Sequence, residues 1–259
     1  MNSVKIVILL LLTGLGSVAA AGQDKILSNG TLIITLISND TIWLGADSRT
    51  SALTEKGYTA NEQGMCKIHS TNNVVYAMAG HVRYTDNSFN FLNIMDKSIR
   101  EHNDFDTATQ AFVKRTKVEI AGLLKKFSRK SINTLIQKNN GSFLSVVAIS
   151  FNNGEKRMKE MKFSIQPATA NTWKVNYTER DDSGTGSLRF VGHATNASRY
   201  VKDNRFFFGN GTNVPGKIFE LIELESANGT TTVGLPADVM SIYNNGYKRM
   251  ISSGLCSTD

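Results

Sequence analysis

The hydrophobic pattern at the start of the chain predicts a β-hairpin. Two apolar runs, 31–38 and 41–46, flank the turn-forming dipeptide Asn39-Asp40, which is typical of two antiparallel strands. A two-residue turn at this point places Leu32 opposite Asp47. Thr31 would then begin the first strand beside the carboxylate that ends the second.

A second predicted hairpin follows, with strands at 65–70 and 74–79 around Asn72-Asn73. Its first strand carries Lys67 between hydrophobic residues. A lysine in such a position is costly unless it has a partner or a chemical role. Lys67 is therefore a candidate functional residue.

After Gly80 the apolar spacing becomes helical. It predicts one helix over about 84–101 and a longer one capped by Asp106 or Thr107. The apolar stripe of the longer helix would extend to Leu135. Its opposite face is rich in lysine and arginine, which indicates a solvated surface more than a docking surface for an acidic partner.

Strand patterns return in the last part of the chain, together with one amphipathic helix. The predicted strands are 143–151, 158–165, 172–178, 188–191, 237–243 and 247–251, and the helix is 217–226. This order suits an α+β fold, a four-layer αββα sandwich of two stacked sheets between helices. Runs that are apolar on both faces fit sheets covered on both sides.

Residues 1–21 have the features of a secretory signal peptide. Lys5 is followed by the apolar run 6–12 and by a small-residue cleavage site at 19–21. We therefore expect a secreted, extracellular protein, and no later stretch is apolar enough to predict a membrane span. Residues 22–30 are either a frayed terminus or a short propeptide, and 31–259 form the predicted domain.

Seven N-glycosylation sequons agree with secretion, and most fall at predicted turns. They begin at Asn29, Asn39, Asn140, Asn176, Asn196, Asn210 and Asn228. The chain has two cysteines, Cys66 and Cys256, which could bridge the core to the C-terminus or stay free. The expected burial of Cys66 beside Lys67 favours free thiols.

The formal charge of +7 is compatible with acidic partners, but no nucleic-acid-binding motif accompanies it. His69, His81 and His102 show no metal-ligand spacing. We expect no cofactor, no metal and no nucleic-acid partner.

Four short motifs together resemble the catalytic β-subunits of the proteasome, which are N-terminal nucleophile (Ntn) hydrolases. The motifs are Gly30-Thr31, Asp47-Ser48-Arg49, Lys67-Ile68 and Met78-Ala79-Gly80. The resemblance implies a threonine peptidase or amidase that cuts itself after Gly30. It also implies a peptide or amide substrate. The matching residues are concentrated in 30–82, and few lie beyond this range.

The resemblance also assigns roles to the motif residues. Thr31 would be the nucleophile, and its freed α-amine would be the general base. Lys67 would favour the deprotonated hydroxyl, Asp47 would balance Lys67, and Arg49 would brace the loop. The Gly80 N–H would stabilise the oxyanion.

A substrate pocket follows only from the resemblance. The pocket would be lined by positions that are mostly small or apolar: Thr50, Met65, His69, Met78 and Val82. Ser51 would bind the substrate backbone. We therefore expect preference for a medium-sized apolar side chain.

Two departures from the family pattern leave a second function open. His193 stands where the family has a serine that bonds the nucleophile's amine, and Thr230 and Val233 stand where it has an Asp and a Ser. These changes could weaken turnover. The alternative is a catalytically inactive Ntn-fold glycoprotein with a binding or structural role.

The resemblance alone suggests a closed ring of subunits, but the dispersed sequons argue against one. A glycan is too bulky and hydrated for a tight interface. We expect a monomer or small homo-oligomer.

Overall fold

The structure is a computed structural model. It describes residues 26–29, 32–54, 57–61, 64–84, 89–139, 141–152, 155–169, 172–182, 186–209, 211, 213–228 and 233–256. Several predictions fall outside these residues: the signal peptide, the cleavage site at Gly30, the nucleophile Thr31, the sequons at Asn140 and Asn210, and Thr230.

The described chain forms two antiparallel sheets. The first is eight-stranded, in the order β10-β9-β8-β7-β1-β4-β5 with β6 also paired to β7. Its strands are β1 (Ile26–Asn29), β4 (Thr50–Thr54), β5 (Gly57–Asn61), β6 (Ile68–Thr71), β7 (Val74–Tyr84), β8 (Ser142–Asn152), β9 (Glu155–Thr169) and β10 (Thr172–Asp182).

The second sheet is five-stranded, in the order β11-β2-β3-β12-β13. Its strands are β2 (Leu32–Ile37), β3 (Ile42–Asp47), β11 (Leu188–Gly192), β12 (Ala237–Tyr243) and β13 (Gly246–Ile251). Within the first hairpin Ile33 pairs with Ala46 and Ile37 with Ile42. The predicted hairpin and its register are confirmed.

Five helices lie in the described residues: α1 (Phe91–Glu101), α2 (Phe105–Lys126), α3 (Arg129–Asn139), α4 (Thr195–Asp203) and α5 (Val214–Ala227). The predicted start of the first helix was wrong by seven residues. The helix begins only after Asn90, whose side chain accepts the N–H groups of Leu92 and Asn93.

The predicted cap of the second helix was also wrong, because Asp104 accepts the Thr107 N–H and caps α2. Phe127 and Ser128 interrupt the helix that was predicted to continue to Leu135. The apolar stripe resumes on the separate helix α3, so Ile132 and Leu135 are still buried.

Three clusters of buried side chains lie between these elements. The first joins α1, α2 and α3 to one face of the eight-stranded sheet, through residues such as Met95, Phe112 and Val146. The second joins the two sheets, and the third joins the five-stranded sheet to α4 and α5. Two facing sheets with helices on their outer sides make an α+β fold compatible with a sandwich.

Cys66 and Cys256 form a disulfide with Cα atoms 4.7 Å apart, so the prediction that favoured free thiols was wrong. Cys66 is only half-buried, and the C-terminal segment folds back onto the second hairpin. In the part of the chain that the structure describes, no helix is long and apolar enough to cross a bilayer.

Candidate active site

Lys67 lies at the entrance to β6 and is almost entirely buried, with 2% of its surface exposed. Its Nζ lies 3.0 Å from Asp47 Oδ2 at the end of β3 and donates a hydrogen bond to the Arg49 carbonyl. The prediction that Lys67 lies inside the first strand of the second hairpin was wrong, because β6 begins only at Ile68. The segment before β6 and the end of β3 nevertheless bring the lysine and the aspartate together as an ion pair.

Backbone N–H groups surround the Asp47 carboxylate, which is fully buried. Oδ2 accepts from Arg49 N at 3.2 Å and from Gly234 N at 3.1 Å. Oδ1 is 3.4 Å from Leu32 N, which donates to it. Because a buried carboxylate needs such partners, Asp47 is held in one position by three segments of chain.

Burial lowers the pKa of the Lys67 ammonium from its usual 10.5 to about 8. Asp47 opposes this effect by its charge and its hydrogen bond, while the Arg49 charge lowers the pKa further. Removing an ammonium from water disfavours its charged form. Lys67 can therefore change its protonation state close to neutral pH.

Leu32 is the first described residue after Thr31 in the sequence. Leu32 is paired with Gly192 of β11 and donates to Asp47, so the chain enters the five-stranded sheet beside the carboxylate. His193 follows Gly192 directly, and its side chain is exposed to solvent. Unlike Asp47 and Lys67, His193 is not part of the buried cluster.

Gly80 lies on β7, where it pairs with Asn29 of β1 and Leu144 of β8. Its φ is +102°, a conformation that L side chains rarely adopt. A Cβ at this position would lie 2.4 Å from the Phe143 carbonyl oxygen. Both the backbone angle and the crowding therefore require glycine here.

The residues expected to line a substrate pocket differ in their burial and surroundings. Met78 and Val82 are buried in the cluster beneath α1–α3, and the half-buried His69 stacks on Tyr76 at 5.5 Å. Met65 is half-buried and donates its N–H to the Ser48 carbonyl.

Thr50 and Ser51 are both buried and pair with β1. Strand β1 therefore lies directly beside Ser51, the position expected to bind substrate backbone, and β5 lies on its other side.

A cavity of about 500 Å³ lies elsewhere, beside the α1–α2 loop. Its lining includes His102, Asp104 and Arg157, and it contains none of the predicted site residues. Arg157 is already paired with Asp106. The buried pair Lys67–Asp47 is chemically the more distinctive place.

Sequence reasoning missed Gly234. Its N–H donates to Asp47, and a Cβ added to it would lie 2.2 Å from Arg49 Nε. The Ser48 N–H donates to the Pro236 carbonyl at 2.8 Å. Gly234-Leu235-Pro236 directly precedes a strand predicted from the sequence, and this was the available signal of a turn near the site.

The described sequons differ in their surroundings. Asn39 is exposed in the first turn and Asn228 at the end of α5, whereas Asn176 is half-buried on β10. Asn196 is also half-buried, and its Nδ2 lies 3.4 Å from Glu225 Oε1. A glycan on Asn196 would disturb this contact.

The sequence matches no protein-family model and no curated protein.

Proposed function

We propose that this chain is a threonine hydrolase of peptides or amides, with an Ntn-type αββα fold and a nucleophile, Thr31, freed by cleavage after Gly30. One observation carries the proposal. The buried pair Lys67–Asp47 is bonded through Asp47 Oδ1 to the N–H of Leu32, the residue that follows Thr31.

The charge of the buried lysine, so close to the start of β2, would act on the hydroxyl and the α-amine of the nucleophile. A positive charge at this point stabilises a deprotonated hydroxyl and favours the neutral form of a nearby amine. An N-terminal α-amine has a pKa of about 7.7–8.0, so it can accept the hydroxyl proton near neutral pH. Nucleophile and base then come from one residue.

Strand β1 supports a peptide substrate. Residues 26–29 lie between β4 and β7, with Asn29 paired to both Thr50 and Gly80. This short strand ends just before the Gly30–Thr31 bond. If cleavage releases it, the gap between β4 and β7 offers two strand edges to a substrate peptide, and such edges bind peptides by main-chain hydrogen bonds. The Gly80 N–H would then be the oxyanion donor.

Secretory export is part of the proposal. Stable disulfides are typical of oxidising compartments, so the Cys66–Cys256 bond supports it.

The test is to express the full chain through a secretory pathway and to determine its N-terminus and its hydrolysis of a peptide library. We expect a chain that starts at Thr31 and prefers medium-sized apolar side chains. Thr31→Ala should abolish cleavage and hydrolysis, and Thr41→Ala in the first turn is the matched control. Hydrolysis unchanged in purified Thr31→Ala would exclude Thr31 as the nucleophile.

A catalytically silent protein of the same fold is the second candidate. Two observations favour it: Val233 is apolar and buried, and His193 is exposed. The proteasome β-subunits that the chain resembles have polar residues at these two positions, which hold the amine of the nucleophile in place. A secreted chain that begins at Gly22, with no hydrolysis of any library peptide, would decide for this candidate.

A further inference from the structure

The segment that delivers Lys67 is attached to the C-terminal tail. Residues 64–67 precede β6 and lie outside the strands. Cys66, the residue directly before Lys67, is bonded to Cys256, which is 190 positions away in the sequence. The disulfide therefore joins the tail to the backbone next to the buried ammonium.

Asp238 on β12 anchors the same tail. This aspartate is 1% exposed, and it accepts hydrogen bonds from Ser253 N at 3.0 Å and Ser253 Oγ at 2.7 Å. Arg249 pairs with it at 2.9 Å, and Cys256 Sγ lies 3.3 Å from its Oδ2. A buried carboxylate with this set of partners holds residues 253–256 firmly against the five-stranded sheet.

The tail also packs directly on the lysine segment. A Cβ at Gly64 would lie 2.6 Å from Leu255 Cδ1 and 3.4 Å from the Ser48 carbonyl oxygen. On the Ser48 side, Met65 N donates to that same carbonyl at 2.9 Å. Residues 64–66 are thus enclosed between the end of β3 and the tail.

We propose that the tail, residues 253–256, is a positioning element for Lys67, held by Asp238 and by the Cys66–Cys256 disulfide. It keeps the ammonium beside Asp47 and out of water. The effect on hydrolysis rests on the proposed function, but the effect on the exposure of Lys67 does not. Asp238 is a positioning residue and does not touch the reacting atoms.

The first test measures the exposure of Lys67 by brief acylation with a water-soluble amine reagent and peptide mass spectrometry. Labelling is normalised to Lys97, whose side chain is 65% exposed. We expect Lys67 labelling to rise about tenfold in Cys256→Ser, in Asp238→Asn and in reduced wild type, because local opening admits the reagent. Reoxidation of the wild type should restore protection, and Met250→Ala, at an exposed position just before the tail, is the matched control.

Lys159 separates local opening from global unfolding. It is 4% exposed and lies on β9, where it pairs with Asp106 and Glu179. Increased labelling of Lys67 alone supports the proposal. Equal Lys67 labelling in oxidised and reduced protein overturns it. The proposal is also overturned if the labelling of Lys159 rises as much as that of Lys67 in reduced wild type and in every variant.

The second test compares hydrolysis by the same proteins. A displaced Lys67 should lower kcat with little change in KM, and reoxidation should restore it. Absence of hydrolysis in oxidised wild type would contradict the proposed function. The labelling experiment would then still test whether the tail keeps Lys67 out of water. Hydrolysis unaffected by reduction, with Lys67 still protected, would overturn the positioning role alone.

Discussion

Replacing Asp47 by asparagine removes one charge from the buried pair and changes the size of the side chain very little. In the wild type, the difference between the usual Lys67 pKa of 10.5 and the native pKa of about 8 corresponds to about 3 kcal/mol of destabilisation near pH 7. Without Asp47 the native pKa should fall further, so that Lys67 is neutral at pH 7. A neutral lysine costs about 4.8 kcal/mol there relative to the unfolded chain, which is about 1.4 kcal/mol more than in the wild type.

The substitution also affects the donors around position 47. Arg49 N, Gly234 N and Leu32 N all point at the carboxylate, and the asparagine NH₂ group cannot accept from any of them. An unsatisfied buried donor costs about 1–3 kcal/mol. The total loss should be roughly 2–4 kcal/mol near neutral pH, close to the range expected for breaking a buried ion pair.

The pH dependence identifies the electrostatic part. A lowered native pKa means that the unfolded chain binds the proton more tightly, so the free energy of unfolding of the wild type rises between about pH 8 and pH 10.5 as Lys67 loses its proton. At pH 9.5 the native lysine is neutral in both proteins. The difference between them should therefore shrink by about 1–2 kcal/mol from pH 7 to pH 9.5.

Urea unfolding of both proteins at the two pH values measures this difference, in a Thr31→Ala background that prevents processing. Glu220→Gln is the matched control, since its pair with Lys217 is on the surface and should contribute less than about 1 kcal/mol. A loss that is the same at both pH values, or one below about 1 kcal/mol at pH 7, would refute the reasoning.

Three further substitutions test the fold and the site. Gly45→Ala would put a Cβ 2.2 Å from Ile218 Cγ2, so urea unfolding should show a loss of about 1–3 kcal/mol; unchanged stability would contradict the packing of α5 on β3. Glu225→Gln replaces the carboxylate that accepts hydrogen bonds from two N–H groups at the start of α4 by a neutral amide, which is a weaker acceptor. The rate of amide hydrogen exchange in α4 should therefore rise by about tenfold. Gly80→Ala should lower the melting temperature and abolish hydrolysis, because the positive φ and the nearby Phe143 carbonyl leave no room for a side chain. An unchanged melting temperature with full activity would contradict the requirement for glycine at this position.

The first hairpin and the unusual character of Lys67 could be predicted because their signals are local, whereas the pairing of Lys67 with Asp47 was expected only from the resemblance. Asn39-Asp40 fixes the turn, and the turn fixes which residues face each other. Lys67 stood out because a charge between buried hydrophobic residues is rare. The later strands were also found, with ends that differ by a few residues, since strand ends depend on pairing partners that the sequence does not identify.

Elements that depend on distant partners could not be predicted. Helix α4 has no side-chain cap of its own, and its first N–H groups are satisfied by Glu225, 29 positions after Asn196. Strand β1 forms from a polar stretch because β4 and β7 pair with it on both sides. The disulfide joins two residues whose proximity arises only from the complete fold.

The strand order of the five-stranded sheet has a consequence for folding. Strands β2 and β3 come from residues 32–47, but their outer neighbours β11 and β12 come from residues 188–192 and 237–243. The nascent chain cannot complete this sheet before residues 188–192 and 237–243 have left the ribosome, and contacts so far apart in sequence form slowly. The Gly234 N–H reaches Asp47 at the same late stage. Any cleavage that depends on a correctly held Asp47 is thereby delayed until Gly234 and strand β12 have been synthesised, which protects shorter nascent chains from premature cutting.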